Sequence, residues 1–495
     1  MPNATHNRDT AHEKLSALEK VGYSLGDLAA NLVFQTLITY LAYFYTDIYG
    51  LQAHHASAIL LVVGLIAGFG FNPMIGALAD RTVSRWGKFR PWVMWTAIPL
   101  GAAALLAFST PDFSYKGKVI YAVVTYTFLL LLYAANNLPY SALSGVLTGS
   151  MKERNSLSAY RFVAVMFAQF FVQVFMLPII VTAGGGDKAA GIELVMTWLA
   201  IIGTVMLLVT FLTTKERVVP KPEQSSTLKE DLRDLSRNKP WIIMLVLTTL
   251  VFITLAMKGG AYVYYFENYV AGDRLTGFVA PILSSFSALG VNFFGEDPIS
   301  AGFGLFNAGG IIFMIAGIGL SKPLADRYGK RDVFGIALFI STLFILAFYL
   351  LSPQAVMLMF GMQILHGFFY GITIPLLWAM IADVADYSEW KNNRRATGII
   401  FSAMMVGLKV GLTVGGALLT WILGAFHYTP GDNVVQPASA VHATKLLVSV
   451  FPAIPFLLGT ALLFGYKINK ETEVRIEADL KQRRQVLDNR QQTEG

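Results

Sequence analysis

The sequence predicts an all-α polytopic membrane protein with about twelve transmembrane helices in two pseudo-symmetric six-helix halves. The first observation is composition, because 55% of the 495 residues are hydrophobic and only 14% are charged. A soluble protein carries about 25% charged residues. The second is a series of apolar segments, each close to the roughly 20 residues that a helix needs to cross a bilayer. The third is a motif that occurs twice, about half the chain length apart.

The apolar segments fall into two sets of six. The first set spans residues 22–46, 53–79, 91–109, 118–147, 158–182 and 193–213. The second set spans residues 240–270, 299–321, 332–351, 354–382, 397–423 and 445–467. A polar segment separates the sets, so we predict an N-terminal half over 22–213, a linker over 214–239 and a C-terminal half over 240–467.

The distribution of Lys and Arg predicts the orientation of these helices. Loops and tails on one side contain 31 of the 38 basic residues, and cytoplasmic loops are the ones enriched in Lys and Arg. We therefore expect cytoplasmic tails over 1–21 and 468–495. These topology signals explain the net charge of +7, and no nucleic-acid partner is expected. The C-terminal tail could form a surface helix with Ile476, Leu480 and Leu487 on one side, but a solvated tail is favoured.

Residue types and motifs argue against a membrane enzyme. The chain contains no cysteine, which excludes disulfides, thiolate metal sites and cysteine nucleophiles. The sequence has no pair of metal ligands on one helix, no serine nucleophile motif and no phosphate-binding loop. We expect no cofactor, apart from a transported H⁺ or Na⁺, and a monomer whose main partner is the lipid bilayer. The outward loop 271–298 is longer than a tight turn and has no assigned role.

The repeated motif is Leu-Ala-Asp-Arg, at 78–81 and 324–327, and Gly-Lys follows each copy. Each copy follows the second apolar segment of its half. Two six-helix halves related by a parallel repeat define the major facilitator arrangement. An Asp near a helix end can accept backbone N–H bonds or pair with Arg, and Gly permits a tight turn. The predicted gating residues, which are not substrate ligands, are Asp80, Arg81, Asp326 and Arg327.

Longer motifs lie in the same helices and loops. They are Gly22-Tyr23-Ser24-Leu25-Gly26-Asp27 with Asn31, Phe44-Tyr45-Thr46-Asp47, Asn72-Pro73-Met74-Ile75-Gly76, Ser84-Arg85-Trp86-Gly87-Lys88-Phe89-Arg90-Pro91-Trp92, Asn137-Leu138-Pro139-Tyr140-Ser141-Ala142-Leu143, Glu153-Arg154, Tyr160-Arg161, Ala382-Asp383-Val384-Ala385-Asp386-Tyr387-Ser388-Glu389-Trp390 and Lys409. Over about residues 20–470, the chain resembles the glycoside–pentoside–hexuronide:cation symporter family, the melibiose-permease-like branch of the major facilitators. The resemblance implies secondary transport of sugars or sugar derivatives by alternating access, usually coupled to Na⁺, H⁺ or Li⁺.

The resemblance also implies a substrate site near the bilayer midplane, between the halves. Family sugar-binding positions correspond to Asn31 on the first helix, Asn137 on the fourth and Arg161 on the fifth. Tyr133 lies one helical turn before Asn137. Trp378 on the tenth helix matches a site position of some relatives. Lys409 on the eleventh helix matches a family lysine near the sugar and cation sites. The predicted substrate-binding residues are Asn31, Tyr133, Asn137, Arg161, Trp378 and Lys409.

The second helix departs from the family pattern. Melibiose-type relatives have Asp-x-x-Asn-Asp-Pro there, and its carboxylates bind the cation. This chain has Gly68 and Asn72 at the two acidic positions. A Na⁺ site needs hard oxygen ligands and negative charge in a low dielectric. The usual Na⁺ site is therefore predicted to be missing, which favours coupling to H⁺ over coupling to Na⁺.

Ionisable residues inside membrane helices are costly to bury and are therefore functional candidates. Asp27 could pair with Lys409, carry a proton or cap an inner helix end, and these alternatives remain open. Glu267 lies near the outer end of the seventh segment, where a solvated interfacial role is favoured. His366 has a suitable intrinsic pKa for carrying protons, although a lone histidine more often packs between helices. The candidates for proton coupling are Asp27, Glu267 and His366.

The charge balance leaves the substrate open. Lys409 is expected to face a cavity with few acids, with Lys258 and Arg161 as further candidates, and an unpaired buried cation is unfavourable. Either Asp27 neutralises this charge, or an anionic sugar such as a uronate brings the negative charge. A neutral glycoside is favoured. We therefore predict a secondary active transporter of a sugar or glycoside with H⁺ symport, the alternatives being an uncoupled sugar facilitator and a carrier of a lysolipid-like amphiphile.

Overall fold

The computed structural model describes residues 14–218, 238–290, 294–392, 397–432 and 434–494. These residues form helices and connecting turns, with no strand among them. Eleven helices within these ranges are long and apolar enough to cross a membrane. The all-α prediction is therefore confirmed. Residues 1–13 of the predicted N-terminal tail and 219–237 of the predicted linker lie outside the described residues.

Helices occupy all six spans predicted for the first half. They are α1 (Ala17–Tyr43), α2 (Ala53–Ile66), α3 (Asn72–Asp80), α4 (Arg90–Ala107), α5 (Tyr115–Leu147), α6 (Met151–Ala183) and α7 (Lys188–Thr213). One π-helical turn, Phe44–Ile48, extends α1, and another, Ala67–Phe71, joins α2 to α3 as a single span. The helix α4, which has only 18 residues, occupies the third predicted span.

Helices also occupy the six spans predicted for the second half. They are α8 (Lys239–Asn268), α9 (Gly272–Ala288), α10 (Pro298–Tyr328), α11 (Lys330–Ala347), α12 (Val356–Asn392), α13 (Thr397–Ala425), α14 (Ala438–Val448), α15 (Val450–Leu462) and α16 (Lys470–Glu494). The helices α14 and α15 form one span, Ala438–Gly465, which begins earlier than the sequence predicts. Two of these helices, α9 and α16, were not predicted as spans, and both lie in segments that the sequence assigned to a loop or a tail.

The chain forms two compact units. The first contains the described residues up to 218 together with Gly259–Ala308 and Gly416–Thr444, and the second contains the remaining described residues. Within the first unit, α1 packs against α6 and α7, and α4 packs against α5 and α7. Within the second unit, α11 packs against α12 and α15. These helices are apolar on most of their surface, as expected for helices that contact lipid and one another.

The first helix begins earlier than predicted. The Ser16 side chain accepts a hydrogen bond from the Glu19 backbone N–H at 3.1 Å, which caps the helix N-terminus. Glu19 then pairs with Arg217, whose guanidinium lies 2.6 Å from the carboxylate. Residues Ala17 to Val21 therefore belong to α1 rather than to a polar tail.

The segment predicted as a long outward loop contains the helix α9. Its residues Leu275 and Val279 are buried, whereas most of its other side chains are exposed. The Leu275 side chain occupies the space beside Gly302, where an added Cβ would lie 2.8 Å from Leu275 Cδ1. The helix therefore lies against the start of α10 through one apolar side.

The prediction of a solvated C-terminal tail is wrong. Residues Lys470–Glu494 form the helix α16, and Ile476 and Leu480 are only 4% and 5% exposed. Both belong to the hydrophobic core that also contains Met380 and Val384 of α12. Two apolar side chains one turn apart are enough to bury one side of an otherwise highly charged helix.

Candidate substrate and coupling site

An ion pair between Asp27 of α1 and Arg161 of α6 forms the centre of the candidate site. Arg161 Nε lies 2.7 Å from Asp27 Oδ2, and the two side chains are 27% and 8% exposed. One turn along α1, Asn31 Nδ2 donates to the Asp27 carbonyl oxygen at 2.9 Å. The structure therefore pairs Asp27 with Arg161, whereas the sequence suggested Lys409 as the partner, and a role for Asp27 in carrying a proton stays a prediction.

The Arg161 guanidinium lies beside a pair of stacked tyrosine rings. Its central carbon lies 5.6 Å from the ring centroids of both Tyr23 and Tyr140. These rings stack with centroids 4.6 Å apart, and each hydroxyl donates to the other residue's carbonyl oxygen, at 2.9 and 2.7 Å. Cation–π attraction and the carboxylate together hold the guanidinium in a fixed orientation.

Two further predicted residues lie on α5, which also carries Tyr140. Tyr133 stacks on Phe34 of α1, with ring centroids 6.2 Å apart. Asn137 is half-buried between Tyr133 and Tyr140 on the same helix face. The structure thus places four of the six predicted substrate-binding residues, and Asp27, on the neighbouring helices α1, α5 and α6.

The other two predicted substrate-binding residues lie in the second compact unit. Trp378 is on α12 and 36% exposed, and Lys409 is near the middle of α13. Among the described residues, Lys409 has no hydrogen-bond or ion-pair partner. Their roles in binding stay predictions.

His366 packs between two helices of the second unit. It is 6% exposed, its Nδ1 lies 2.8 Å from Ser341 Oγ of α11, and its ring stacks on Tyr370. This is the helix-packing geometry that the sequence favoured, and a role in proton transfer stays a prediction.

Glu267 belongs to a hydrogen-bonded group that we call the outer network, made of Tyr43, Lys188, Glu267 and Asp432. Glu267 Oε1 accepts from the Tyr43 hydroxyl at 2.6 Å and from Lys188 Nζ at 2.8 Å. Lys188 Nζ also lies 2.8 Å from Asp432 Oδ1. Sequence reasoning treated Lys188 only as an outward-loop residue, because nothing local to it signals a partner 79 residues away along the chain.

A second group that sequence reasoning missed surrounds Asp47. This carboxylate is 5% exposed and accepts hydrogen bonds from the Tyr428 hydroxyl at 2.6 Å and from Thr46 Oγ1 at 2.5 Å. Asp47, Lys188, Glu267 and Asp432 all line a cavity of about 290 Å³. The motif Phe44-Tyr45-Thr46-Asp47 was the available signal, but it indicated family membership rather than this contact.

The first copy of the repeated motif forms a turn closed by one ion pair and by hydrogen bonds to the backbone. Asp80 pairs with Lys88 at 2.9 Å. The Glu216 carboxylate accepts from the backbone N–H groups of Lys88, Phe89 and Arg90, at 2.9, 2.7 and 2.9 Å, and thereby caps the start of α4. The φ angle of Gly87 is 111°, and a Cβ there would collide with Glu216, so this turn requires glycine.

The second copy makes different contacts. Gly329 has a φ of 90°, so both glycines of the repeat adopt the left-handed conformation expected of a tight turn. Lys330 pairs with Asp383, with Nζ–O distances of 2.6 and 2.7 Å. Lys470 Nζ donates to the carbonyl oxygens of Asp326 and Arg327. A gating role for the four predicted residues stays a prediction.

The second helix has no acid at the two positions where melibiose-type relatives bind a cation. Asn72 Nδ2 donates to the Gly68 carbonyl oxygen at 3.3 Å, so the two positions without acids interact with each other. Within the described residues, no three histidine or acidic side chains form a group that could hold a metal ion. The buried carboxylate nearest the predicted sugar-binding residues is Asp27, and its role as a proton carrier stays a prediction.

Comparisons with known proteins show which family this sequence belongs to. The sequence matches the family described as MFS/sugar transport protein over residues 22–470. It is 36% identical to the inner membrane symporter YicJ of Escherichia coli, over 92% of each chain. It is 30% identical to the isoprimeverose transporter of Lactiplantibacillus pentosus, over 94% of this chain and 91% of that one. The glucuronide carrier protein homolog of E. coli is 27% identical over 96% of this chain and 98% of the relative.

Solved structures share the fold at low identity. A mutant of the nucleoside transporter NupG superposes with a TM-score of 0.60 at 13% identity, over 91% of this chain and all of that one. A bacterial homolog of the human lysosomal transporter Spinster gives 0.59 at 13% identity, over 96% and 99%. The protein is therefore an integral membrane transporter with the major facilitator fold, and it is not an enzyme. The chain belongs to the glycoside–pentoside–hexuronide:cation symporter family, whose members are secondary active sugar transporters.

Proposed function

We propose that this protein is a proton-coupled symporter that moves a glycoside across a bacterial inner membrane by alternating access. The observation that carries the proposal is the ion pair beside Asn31 between the buried Asp27 and the partly exposed Arg161. We propose further that both termini are cytoplasmic and that a single chain forms the carrier, since one chain supplies both six-helix halves.

The proton is proposed as the coupling ion because the chemistry of the site suits it. The second helix has Gly68 and Asn72 where relatives have cation-binding acids, and neither supplies the negative charge that Na⁺ requires. Asp27 does supply a carboxylate in a low-dielectric setting. Protonation of Asp27 removes its attraction for Arg161, and the guanidinium then becomes available to donate hydrogen bonds to sugar hydroxyls.

A neutral glycoside is proposed as the substrate because the groups beside the Asp27–Arg161 pair suit uncharged sugar hydroxyls. Asn31 and Asn137 offer amide groups that both donate and accept hydrogen bonds, which suits sugar hydroxyls. Tyr133 offers an aromatic ring. The similarity to an isoprimeverose transporter supports the same substrate class.

An anionic sugar is a second candidate, and one observation favours it. Lys409 lies in the middle of α13, and among the described residues it has no ion-pair partner. A uronate carboxylate would neutralise it. The similarity to a glucuronide carrier protein homolog points the same way. Competition separates the two substrates, because excess uronate should block uptake of labelled substrate only if the site accepts an anion.

The test is uptake into proteoliposomes with imposed H⁺ or Na⁺ gradients. Wild-type protein should accumulate a labelled glycoside above the outside concentration with a proton gradient alone. Asp27→Asn should abolish this accumulation but retain exchange of labelled for unlabelled sugar, because exchange needs no net proton movement. Asp112→Asn, at an exposed loop acid, is the matched control and should behave as wild type.

Four outcomes would contradict the proposal. Proton-driven accumulation that survives in Asp27→Asn removes Asp27 as the proton carrier. Accumulation driven only by Na⁺ means that other oxygens bind the ion. Equilibration without accumulation under either gradient identifies an uncoupled facilitator instead, and exchange of a lysolipid but of no sugar identifies a lipid carrier.

A further inference from the structure

The helix α16 is anchored to the second unit through both apolar and polar contacts. Ile476 and Leu480 are buried in the core that contains Met380 and Val384 of α12. A helix with this many charged residues gains little from burial beyond these two side chains. The docked position therefore depends on the polar contacts around them.

One polar contact fixes the middle of α16 to the end of α12. Trp390 Nε1 donates to Asp479 Oδ2 at 2.8 Å, and Arg483 donates to the Trp390 carbonyl oxygen at 3.1 Å. The Arg475 guanidinium lies 6.0 Å from the Trp390 ring centroid. Three residues of α16 thus surround one tryptophan, which belongs to the motif Asp-Tyr-Ser-Glu-Trp.

A second contact fixes the start of α16 to the repeated motif. Lys470 Nζ donates to the carbonyl oxygens of Asp326 and Arg327, at 2.7 and 2.9 Å. These carbonyls lie in the last turn of α10, where a positive charge is favourable. Docking of α16 therefore restrains the turn that the sequence predicts to act in gating.

A third contact contains two carboxylates and one ammonium group. Lys330 Nζ lies 2.6 Å from Asp383 Oδ1 and 3.6 Å from Glu473 Oε1. Burial and the neighbouring Asp383 carboxylate raise the pKa of Glu473 to about 7, although Lys330 opposes this shift. The other titratable groups close to these carboxylates are Asp386 of α12 and Tyr466, which precedes α16.

We propose that α16 is a pH-dependent clasp on the second repeat turn, closed when Glu473 is protonated and loosened when Glu473 is charged. A protonated Glu473 can donate a hydrogen bond to Asp383, whereas a charged one repels it. The closed clasp holds the turn and slows transport. On the predicted orientation the clasp faces the cytoplasm, so a symporter that brings protons in would be slowed as they accumulate.

The direction of the pH effect follows from proton linkage. The ordinary pKa of a glutamate is 4.5, which applies when α16 is released and Glu473 is solvated. Between pH 4.5 and about pH 7, the docked state therefore binds more protons than the released state. Docking strengthens as pH falls through this range and weakens as pH rises through 7.

Cysteine labelling measures the position of α16 without any transport. The chain has no cysteine, so one introduced thiol can be followed on its own. In Leu480→Cys the thiol is buried when the clasp is closed, whereas in Val474→Cys, at a position 59% exposed, it is accessible in both states. The ratio of the two labelling rates with an impermeant maleimide corrects for the pH dependence of the thiol itself. This ratio should rise at least about threefold from pH 6 to pH 8.

Glu473→Gln keeps the uncharged form at every pH and provides the decisive comparison. In this background the labelling ratio should stay low at pH 8, while Glu477→Gln, at an exposed acid one turn away, should follow wild type. Sugar exchange at pH 8 on both sides should be at least about threefold slower in Glu473→Gln than in Glu477→Gln, and equal at pH 6.

The outcomes separate the clasp from the proposed function. A labelling ratio that is independent of pH, or that changes equally in Glu473→Gln, overturns the clasp. A pH-dependent ratio with equal exchange rates in the two variants overturns its effect on transport. Only the feedback direction rests on proton symport, because labelling needs no substrate. If no sugar is exchanged at all but labelling behaves as expected, the proposed function fails while the clasp stands.

Discussion

At the scale of single residues, Gly26 allows the tyrosine pair to form. A Cβ at this position would lie 2.5 Å from Tyr140 Cε2 and 3.0 Å from Thr210 Oγ1. Gly26→Ala should displace one of the two stacked rings that lie beside Arg161, at a cost of about 1–3 kcal/mol for overpacking. We expect the initial rate of sugar exchange to fall at least about tenfold.

Gly203→Ala is the matched control, because a Cβ there meets only the Ala29 Cβ at 3.9 Å. Its exchange rate should stay near that of wild type. Equal rates in the two variants would show that Arg161 does not need the tyrosine pair.

A replacement of Lys409 tests whether a residue of the second unit binds substrate. Lys409→Ala removes a positive charge in the middle of a membrane helix, whereas Lys445→Ala removes one that lies 5.2 Å from the Tyr349 ring centroid. If Lys409 binds substrate, its replacement should lower uptake at least about tenfold more than replacement of Lys445. Small, equal effects in uptake assays would remove Lys409 from the site.

The sequence predicted which residues are candidates, but not all of their partners. Asp27 and Asn31 are four residues apart, so helical geometry alone predicts that they share a face. The Asp27–Arg161 contact joins residues 134 positions apart, and no local pattern encodes such a distance. Several basic partners for Asp27 were therefore compatible with the sequence, and the packing of α1 against α6 decides among them.

At the scale of elements, the outer network joins α1, α7, α8 and the segment before α14. Lys188 contributes the only ammonium group to this network and pairs with Glu267 and Asp432, at 2.8 Å each. Lys188→Ala would leave two carboxylates close together in a partly buried position, which is unfavourable. We expect the contacts among these elements to open more often.

The measurement is labelling of Asn268→Cys, a position that lines the cavity beside Glu267. With an impermeant maleimide added from the predicted outer side, labelling should be at least about fivefold faster in Lys188→Ala than in the Asn268→Cys parent. Lys116→Ala, at an exposed lysine in the first turn of α5, is the control and should leave the rate unchanged. Unchanged labelling in Lys188→Ala would mean that the outer network does not keep these elements together.

The composition of α16 explains why the prediction of a solvated C-terminal tail was wrong. Periodicity and composition identify the membrane helices because each is apolar over some twenty residues. The helix α16 has only isolated apolar residues among charges, so its average properties are those of a solvated segment. Its docking comes from particular contacts at Trp390, Lys330 and the end of α10, which composition does not reveal.

At the scale of the whole molecule, symport through one carboxylate sets a thermodynamic limit on accumulation. If Asp27 carries one proton per sugar, a gradient of one pH unit at zero membrane potential should support about tenfold accumulation, since 1.4 kcal/mol corresponds to a factor of ten. A neutral glycoside that moves together with one proton carries one net positive charge across the membrane. An inside-negative potential of about 60 mV should therefore add another factor of about ten.

A uronate with one proton crosses without net charge, so its accumulation should follow the pH gradient and ignore the potential. Accumulation ratios measured with a potassium–valinomycin clamp thus distinguish the two substrate classes in the same vesicles. A ratio that exceeds about tenfold per pH unit at zero potential would require a second proton carrier, and His366 or Glu267 would then be the residue to replace next. A ratio that stays at one in Asp27→Asn, with exchange retained, would assign the coupling to the carboxylate that Arg161 holds.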